Sequence, residues 1–296
     1  MNRLKVTESE FQALSKYIYG ISGITLPKGK EYLIETRLGQ LASEYGCSSY
    51  QELLTRSRTE ATRALERKII DAISTNETYF FRDNAPFDLL QHRLLPDIID
   101  RKSKKGGRIS LRIWSSASST GQEIYSTAMI LRELGLHKGG YNLQLVATDI
   151  SDAAIARASY GLYSQFEVTR GLSPARLNRY FTPQGDGYRI HDDIRSMVSF
   201  RKQNLLTSLA GLGKFDLILC RNVAIYFTRE DRLRLFDNLS RQLEPDGCLL
   251  IGSTESLSQE ESPFVPKRYL NSTFYQLQGQ SPPATPRLNT LRTAHG

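Results

Sequence analysis

The chain has 296 residues, 40% hydrophobic and 24% charged, with a net charge of +8. That is the composition of an ordinary globular protein long enough for two domains. No apolar run approaches the ~20 residues of a membrane span, and the charged N-terminus, MNRLKVTESEF, lacks the apolar core of a secretion signal.

The first eighty residues read as helices. Phe11, Leu14, Ile18 and Ile21 keep helical spacing, and Gly23 stops the run. A second helix is expected over residues 28–45, with Leu33, Leu38 and Leu41 inward and Gly46 at its end. Ser49-Tyr-Gln-Glu52 has the form of a capping box for a short third helix. A fourth, residues 60–73, puts Ala61, Leu65, Ile69 and Ile73 on one face. Together these make a helical domain, residues 1–85. Residues 86–108 read as a linker with the basic run Arg101, Lys102, Lys104 and Lys105. Such a run suits solvent, although the same charge would attract nucleic acid.

From residue 109 short apolar strands alternate with helices. Strands are expected at 111–114, 145–148, 198–201, 215–220 and 248–252, and helices at 123–134, 152–159 and 229–243. That alternation specifies a parallel sheet covered on both faces. Glu244-Pro-Asp-Gly247 is a turn signal ahead of CLLIGST. Residues 273–277 suit a last strand antiparallel to that one. Residues 163–195, punctuated by Pro174, Pro183, Gly185 and Gly187, break the alternation. They read as a small antiparallel lobe in which Tyr188-Arg-Ile pairs with Phe181 or Val198. The tail, residues 279–296, is rich in Pro, Thr and small residues and is expected to be disordered. The fold class is α/β: an all-helical N-terminal domain, then a Rossmann-like domain over residues 109–278 with a small antiparallel β-subdomain inserted. Cys47, Cys220 and Cys248 share no paired spacing, so reduced thiols are expected, with neither disulfide nor zinc site.

The most informative stretch is LRIWSSASSTGQEIYS, residues 111–126. A buried strand breaks into small residues with one glycine, Gly121, then enters a helix with Glu123 in its first turn. A strand running into a small-residue turn at a helix N-terminus is how α/β folds hold a nucleoside-bearing cofactor. Many methyltransferases carry G-x-G-x-G here, so by glycine pattern alone the signal is weak. STNETYFFR (74–82) lies ahead of it, and LVATDIS (145–151) and FDLILCRNVAIYF (215–227) follow. The order of these four segments resembles the chemotaxis receptor methyltransferases, the CheR family, across residues 7–277. The most specific pieces are the asparagine–threonine–arginine segment and the CRNV-x-IYF strand end. The resemblance implies a class I methyltransferase that transfers a methyl group from S-adenosyl-L-methionine to receptor glutamates, leaving S-adenosyl-L-homocysteine.

Two acids carry the cofactor reading. Glu123 is a partner for the cofactor's ammonium group, or simply a first-turn acid favoured by the macrodipole. Asp149, at a strand end, suits both ribose hydroxyls, or a helix cap. The resemblance adds Asn76, Thr78 and Arg82; a guanidinium binds a carboxylate such as the cofactor's with two parallel bonds. It also adds Asn204-Leu205 and Asn222-Val223, which follow later strands. Asn204 and the adjacent backbone would read the adenine, and Asn222 would sit beside the transferable methyl. Tyr226 and Phe227 divide between core and pocket wall.

A free glutamate has a pKa of ~4.3 and is already a nucleophile at neutral pH. No general base is needed, which agrees with four scattered histidines, His92, His137, His191 and His295. No catalytic side chain is singled out and no metal is expected. Arg56, Arg58, Arg63, Arg67 and Lys68, partly offset by Glu60 and Glu66, form either a solvated face or a dock for an acidic helix. The resemblance implies that this domain meets the cytoplasmic helices of chemoreceptors. It further implies a cytoplasmic monomer recruited to membrane receptor arrays, neither inserting in the membrane nor binding nucleic acid. Enteric-type members also grip a receptor C-terminal pentapeptide on the small lobe by strand addition. Here only TPQGDG, residues 182–187, separates Tyr180-Phe181 from Tyr188-Arg-Ile, a shorter loop than the family pattern. Methylation of receptors lacking the pentapeptide is therefore expected. Two alternatives stand beside this reading. A nucleic-acid methyltransferase would use the basic charge, although many such enzymes carry Pro-Pro and an aromatic where this chain reads CRNVAIYF. A non-catalytic cofactor-sensing module would need the same cofactor positions.

Overall fold

The computed structural model describes residues 4–257, 262–270 and 272–279. The tail expected to be disordered lies outside the described residues from position 280 onward. Among the described residues no helix is long and apolar enough to cross a membrane.

The N-terminal domain holds four helices: α1 (Glu8–Ser22), α2 (Glu31–Glu44), α3 (Tyr50–Thr59) and α4 (Ala64–Ile73). A capping box opens α1, since the Thr7 hydroxyl accepts from Glu10 N and the Glu10 carboxylate accepts from Thr7 N. Gly23 closes it in the left-handed region at φ 77°. Phe11, Leu14, Ile18, Ile34, Leu38, Leu53, Leu65, Ile69 and Ile73 form one buried cluster, each large side chain contributing ~1.5–3 kcal/mol on burial.

Three helical expectations need correction. Ile34, not Leu33, takes the core position on α2; Leu33 instead borders a cavity described below. Helix α4 begins at Ala64 because Arg63 is left-handed at φ 53° and the Glu60 carboxylate accepts from Leu65 N at 2.6 Å. Ala61 is consequently exposed. At α3 only half a box forms: Ser49 Oγ accepts from Glu52 N, but the Glu52 carboxylate accepts from Ser48 N.

Residues 86–108 are not an open linker. They contain α5 (Ala85–Leu89), a π-helical turn (Leu90–Leu94) and α6 (Leu95–Ser103). Phe87, Leu90, Leu94, Leu95 and Ile98 are buried with Leu111 and Ile113 of the sheet. Two members of the basic run are tied down: Lys102 Nζ lies 2.7 Å from the buried Asp216 carboxylate, and Arg101 Nε lies 2.7 Å from Asp246.

The main sheet runs β6-β2-β1-β7-β8-β10-β9, from β1 (Ile109–Ser115), β2 (Tyr141–Asp149), β6 (Val198–Lys202), β7 (Phe215–Cys220), β8 (Leu243–Ile251), β9 (Phe264–Tyr269) and β10 (Ser272–Leu277). The first five are parallel; β10 is antiparallel to both β8 and β9. Helices α7 (Gln122–Glu133) and α8 (Asp152–Tyr160) follow β1 and β2, and a later helix (Arg229–Gln242) joins β7 to β8. Glu244–Gly247 is no separate turn: it lies inside β8, at a register shift opposite Phe215 and Leu217. Strand β9 was not expected; its Pro266 reads as a strand breaker, and an edge strand tolerates it.

The inserted lobe is a three-stranded antiparallel sheet of order β3-β5-β4, from β3 (Leu162–Ser164), β4 (Phe181–Gln184) and β5 (Gly187–Ile190). Tyr188-Arg-Ile pairs with residues 181–183 and, on its other side, with Leu162 and Tyr163, not with Val198. The chain leaves β1 toward β2 and β6, then returns to β7 on β1's other side. The strand order reverses between β1 and β7, and a crevice must open there above the strands' carboxyl ends.

Candidate active site

A cavity of 330 Å³ occupies that crevice. Its floor is the turn after β1. Ser116 N donates to Leu219 O and Ser118 N to Thr148 O, both at 2.8 Å, which ties the turn to β7 and β2. The one glycine is required twice over. Gly121 sits at φ 95°, and a Cβ there would lie 3.0 Å from Ala158 and 3.2 Å from the Tyr163 hydroxyl. Tyr163 of the small lobe itself donates to Thr120 O at 2.8 Å, so the lobe props the turn from outside.

Glu123, in the first turn of α7, is 8% exposed. Ser115 Oγ donates to its Oε1 at 2.8 Å and Arg221 Nη1 to its Oε2 at 3.0 Å. Arg221, whose side chain is 1% exposed, also meets Asp83 at 2.8 Å and the Arg82 carbonyl at 2.9 Å. One guanidinium thus serves two carboxylates, and the cluster keeps a net negative charge suited to a cation. Sequence reasoning missed Arg221; a charge at the end of the wholly buried strand β7 was the available signal.

Asp149 closes β2. Its Oδ2 accepts from Ser119 N at 2.8 Å and its Oδ1 from Ser151 N at 3.0 Å. Burial pushes its carboxyl above the usual aspartate range, against these backbone bonds. Each oxygen retains a lone pair for a ligand hydroxyl. Asn204 Oδ1 accepts from Leu206 N at 2.9 Å, and its Nδ2 makes no bond among the described residues. Asn222 is left-handed at φ 58°. Glu255, also missed, fixes it by accepting from Asn222 N, Ala224 N and Gly252 N at 2.7–3.0 Å. Arg82 donates to Glu77 O at 2.8 Å.

All nine residues expected around the cofactor, Asn76, Thr78, Arg82, Glu123, Asp149, Asn204, Leu205, Asn222 and Val223, border this cavity. Tyr226 and Phe227 both border it as well. The unforeseen wall is the helical domain, which contributes Ile24, Thr25, Leu26, Pro27, Leu33 and Arg37. Thr25 N and Oγ1 both donate to Tyr226 O, and the Tyr19 hydroxyl donates to Asp231 at 2.7 Å.

The basic cluster of α3 and α4 does not reach the cavity. Arg56 donates to Tyr45 O at 2.7 Å and stacks on that ring, and Arg58 lies over Tyr17. Lys68 lies 3.8 Å from Glu44, whereas Arg63 is 74% exposed and lies 3.7 Å from Glu66. Arg67 is not remote from the sheet as its sequence position suggests: its Nε lies 3.9 Å from Asp152, three residues beyond Asp149.

The small-residue turn lets a ligand approach the backbone, the acid on β2 suits a diol, and the Glu123–Arg221–Asp83 cluster suits a cation. Together, at the switch point of a mainly parallel sheet, they define an S-adenosylmethionine-dependent methyltransferase of the Rossmann-like class. Residues 76–269 match the family described as CheR methyltransferase, SAM binding domain, and residues 9–74 match CheR methyltransferase, all-alpha domain. The chain belongs to the CheR methyltransferase family. It is 40% identical over 261 residues to chemotaxis protein methyltransferase 1 of Pseudomonas aeruginosa, covering 86% of this chain and 93% of that one. It is 37% identical over 281 residues to the chemotaxis protein methyltransferase of Vibrio anguillarum, covering 94% and 100%.

Proposed function

We propose that this protein esterifies glutamate side chains on the cytoplasmic helices of chemoreceptors, with S-adenosylmethionine as the methyl source. The observation that carries this reading is the cavity walled by both domains, with Glu123 and Asp149 on the sheet side and Ile24 to Arg37 on the helical side. Asp149 takes the ribose hydroxyls, Glu123 the ammonium and Arg82 the carboxylate of the amino-acid end. Asn76 and Thr78 line the approach to it. Asn204 and Leu205 take the adenine, and Asn222 and Val223 flank the methyl.

S-adenosylmethionine supplies a methyl group on a positively charged sulfur. The incoming glutamate, with a pKa of ~4.3, is already ionised at neutral pH, so no side chain has to move a proton. The residues' work is alignment and removal of water, and alignment alone is worth ~7–11 kcal/mol. Ile24, Leu26, Pro27, Ile225 and Phe227 give the cavity the apolar lining that this requires.

The helical domain docks the receptor through Arg56, Arg58, Arg63, Arg67 and Lys68, with Arg63 more open than Arg67 or Lys68, and so recruits a monomeric enzyme to receptor arrays. Receptors need no C-terminal pentapeptide, because β4 and β5 are joined only by Gly185-Asp186, which leaves a short edge for an added strand. Mass mapping of a receptor cytoplasmic fragment after reaction tests the reading: it predicts one added methylene on glutamates. Modification confined to lysine or arginine would refute it. Titration with the pentapeptide tests the last point, where a dissociation constant of a few micromolar, about −7 to −8 kcal/mol, would show the lobe to be a working tether.

A further inference from the structure

Asp149 is oriented by two backbone amides, Ser119 N on Oδ2 and Ser151 N on Oδ1. The hydroxyls of the same two serines both reach away from the sheet domain. Ser119 Oγ donates to the Asn76 carbonyl at 3.0 Å. Ser151 Oγ donates to Asp71 Oδ1 at 2.7 Å, and that oxygen also accepts from Ala153 N at 3.2 Å. Asp71 belongs to α4, one turn beyond Arg67 and Lys68. Each arm of the bracket around Asp149 is therefore tied to residues 71–76, on the helical side of the cavity.

The Asp71 arm has the greater leverage. A carboxylate accepting from a hydroxyl and an amide makes charge-assisted bonds, roughly twice as strong as neutral ones. Ser151 in turn accepts from Ala154 N at 3.0 Å and so starts α8. Hydrogen bonds weaken steeply off axis, so a shift of Ser151 would misalign the carboxylate that it holds.

We infer that Asp71 is a positioning residue for the cofactor's ribose: from the helical domain it fixes Ser151, and through Ser151 the angle at which Asp149 meets the ribose hydroxyls. The inference rests on the reading of Asp149 as the ribose acceptor. It makes α4 part of the cofactor site although no side chain of its docking face borders the cavity. A partner that binds α4 and moves Asp71 changes cofactor affinity, and the cofactor changes the partner's affinity by the same factor.

The test compares S-adenosylhomocysteine with its 2′-deoxy analogue by calorimetry on the full chain. The unmodified protein should prefer the parent ligand by about tenfold or more, the worth of a hydrogen bond to a charged acceptor. Asp71→Ala should weaken the parent ligand and shrink that preference to about threefold or less. Asp71→Asn, which keeps an acceptor oxygen, should restore most of it. Ser151→Ala cuts the same bond from the other side, and the α8 cap with it, and should shrink the preference at least as far as Asp71→Ala, which keeps the test open if Asp71→Ala does not fold. A merely loosened structure would weaken both ligands alike, and an undiminished preference in these variants overturns the role of Asp71. A preference near one in the unmodified protein overturns the reading of Asp149 itself, and the inference with it.

Discussion

Arg221 and Glu123 meet beneath the cavity, Nη1 to Oε2 at 3.0 Å, both of them buried. Because Asp83 holds the other guanidinium nitrogen, the cluster carries one more negative charge than positive. Glu123→Gln should keep the packing and the Asp83 pair while removing that excess. Affinity for S-adenosylhomocysteine, whose ammonium loses a charged partner worth ~1.5–3 kcal/mol, should fall about tenfold. Calorimetry with an intact circular-dichroism spectrum checks this, and unchanged affinity would remove Glu123 from the ammonium site.

Asp149→Ala should likewise weaken S-adenosylhomocysteine at least tenfold, at ~1.5–3 kcal/mol for each lost bond to a charged acceptor. A pH dependence accompanies it. Burial raises the Asp149 carboxyl above its usual range. The contribution of this group to folding is therefore fully present below the unfolded value of ~3.9 and is lost as pH rises through the raised folded value. Cofactor affinity runs the other way, because protonation removes the charged acceptor. It should begin to fall on acidification before an ordinary aspartate titrates. Asp149→Asn should flatten the profile in that window; an equally steep profile in the variant would assign the titration to another group.

Gly23→Ala should destabilise the protein by about 1–3 kcal/mol. Its φ of 77° disfavours a side chain, and a Cβ there would fall 2.2 Å from Leu206 Cδ1, on the loop beside Asn204. Gly20, three residues earlier in α1, has nothing within 4 Å of its Cβ position, so Gly20→Ala should stabilise by about 0.5–1 kcal/mol. Denaturant melts of the two variants should move in opposite directions. Matching shifts would mean that the fit of α1 against the sheet domain is looser than these distances require.

On the proposed docking face, Arg63→Ala should lower receptor methylation at low salt and reduce its salt dependence, since exposed charges act mainly on encounter. Cofactor affinity should not change. Arg67→Ala should affect both, because Arg67 lies 3.9 Å from Asp152 at the start of α8. Methylation indifferent to Arg63→Ala at low salt would mark the face as merely solvated.

The parallel strands were legible because their apolar runs are short and bounded by turn residues, as in FDLILC before Arg221. Asp149 and Glu123 were legible because strand ends and first helical turns are fixed in such a sheet. The helical roof was not. Residues 24–37 look in sequence like a loop and a helix face, and it takes tertiary contacts, such as those of Gly23 with Leu206 and of Thr25 with Tyr226, to bring them to the cavity. Leu33 was misread for the same reason: it has the spacing of a core residue but borders the cavity. Residues 86–108 were misread because their basic run suggested solvent, whereas Lys102 and Arg101 find buried or half-buried carboxylates on the sheet.

Labelled methyl transfer distinguishes esterification of receptor glutamates from other methylations. The protein is incubated with methyl-labelled S-adenosylmethionine and receptor-bearing membranes, and the labelled receptor band is treated with base. Carboxyl methyl esters hydrolyse, so esterification predicts label in the receptor that base releases as volatile methanol. Label that survives base treatment as N-methyl groups, or that enters nucleic acid instead of receptor, would contradict it.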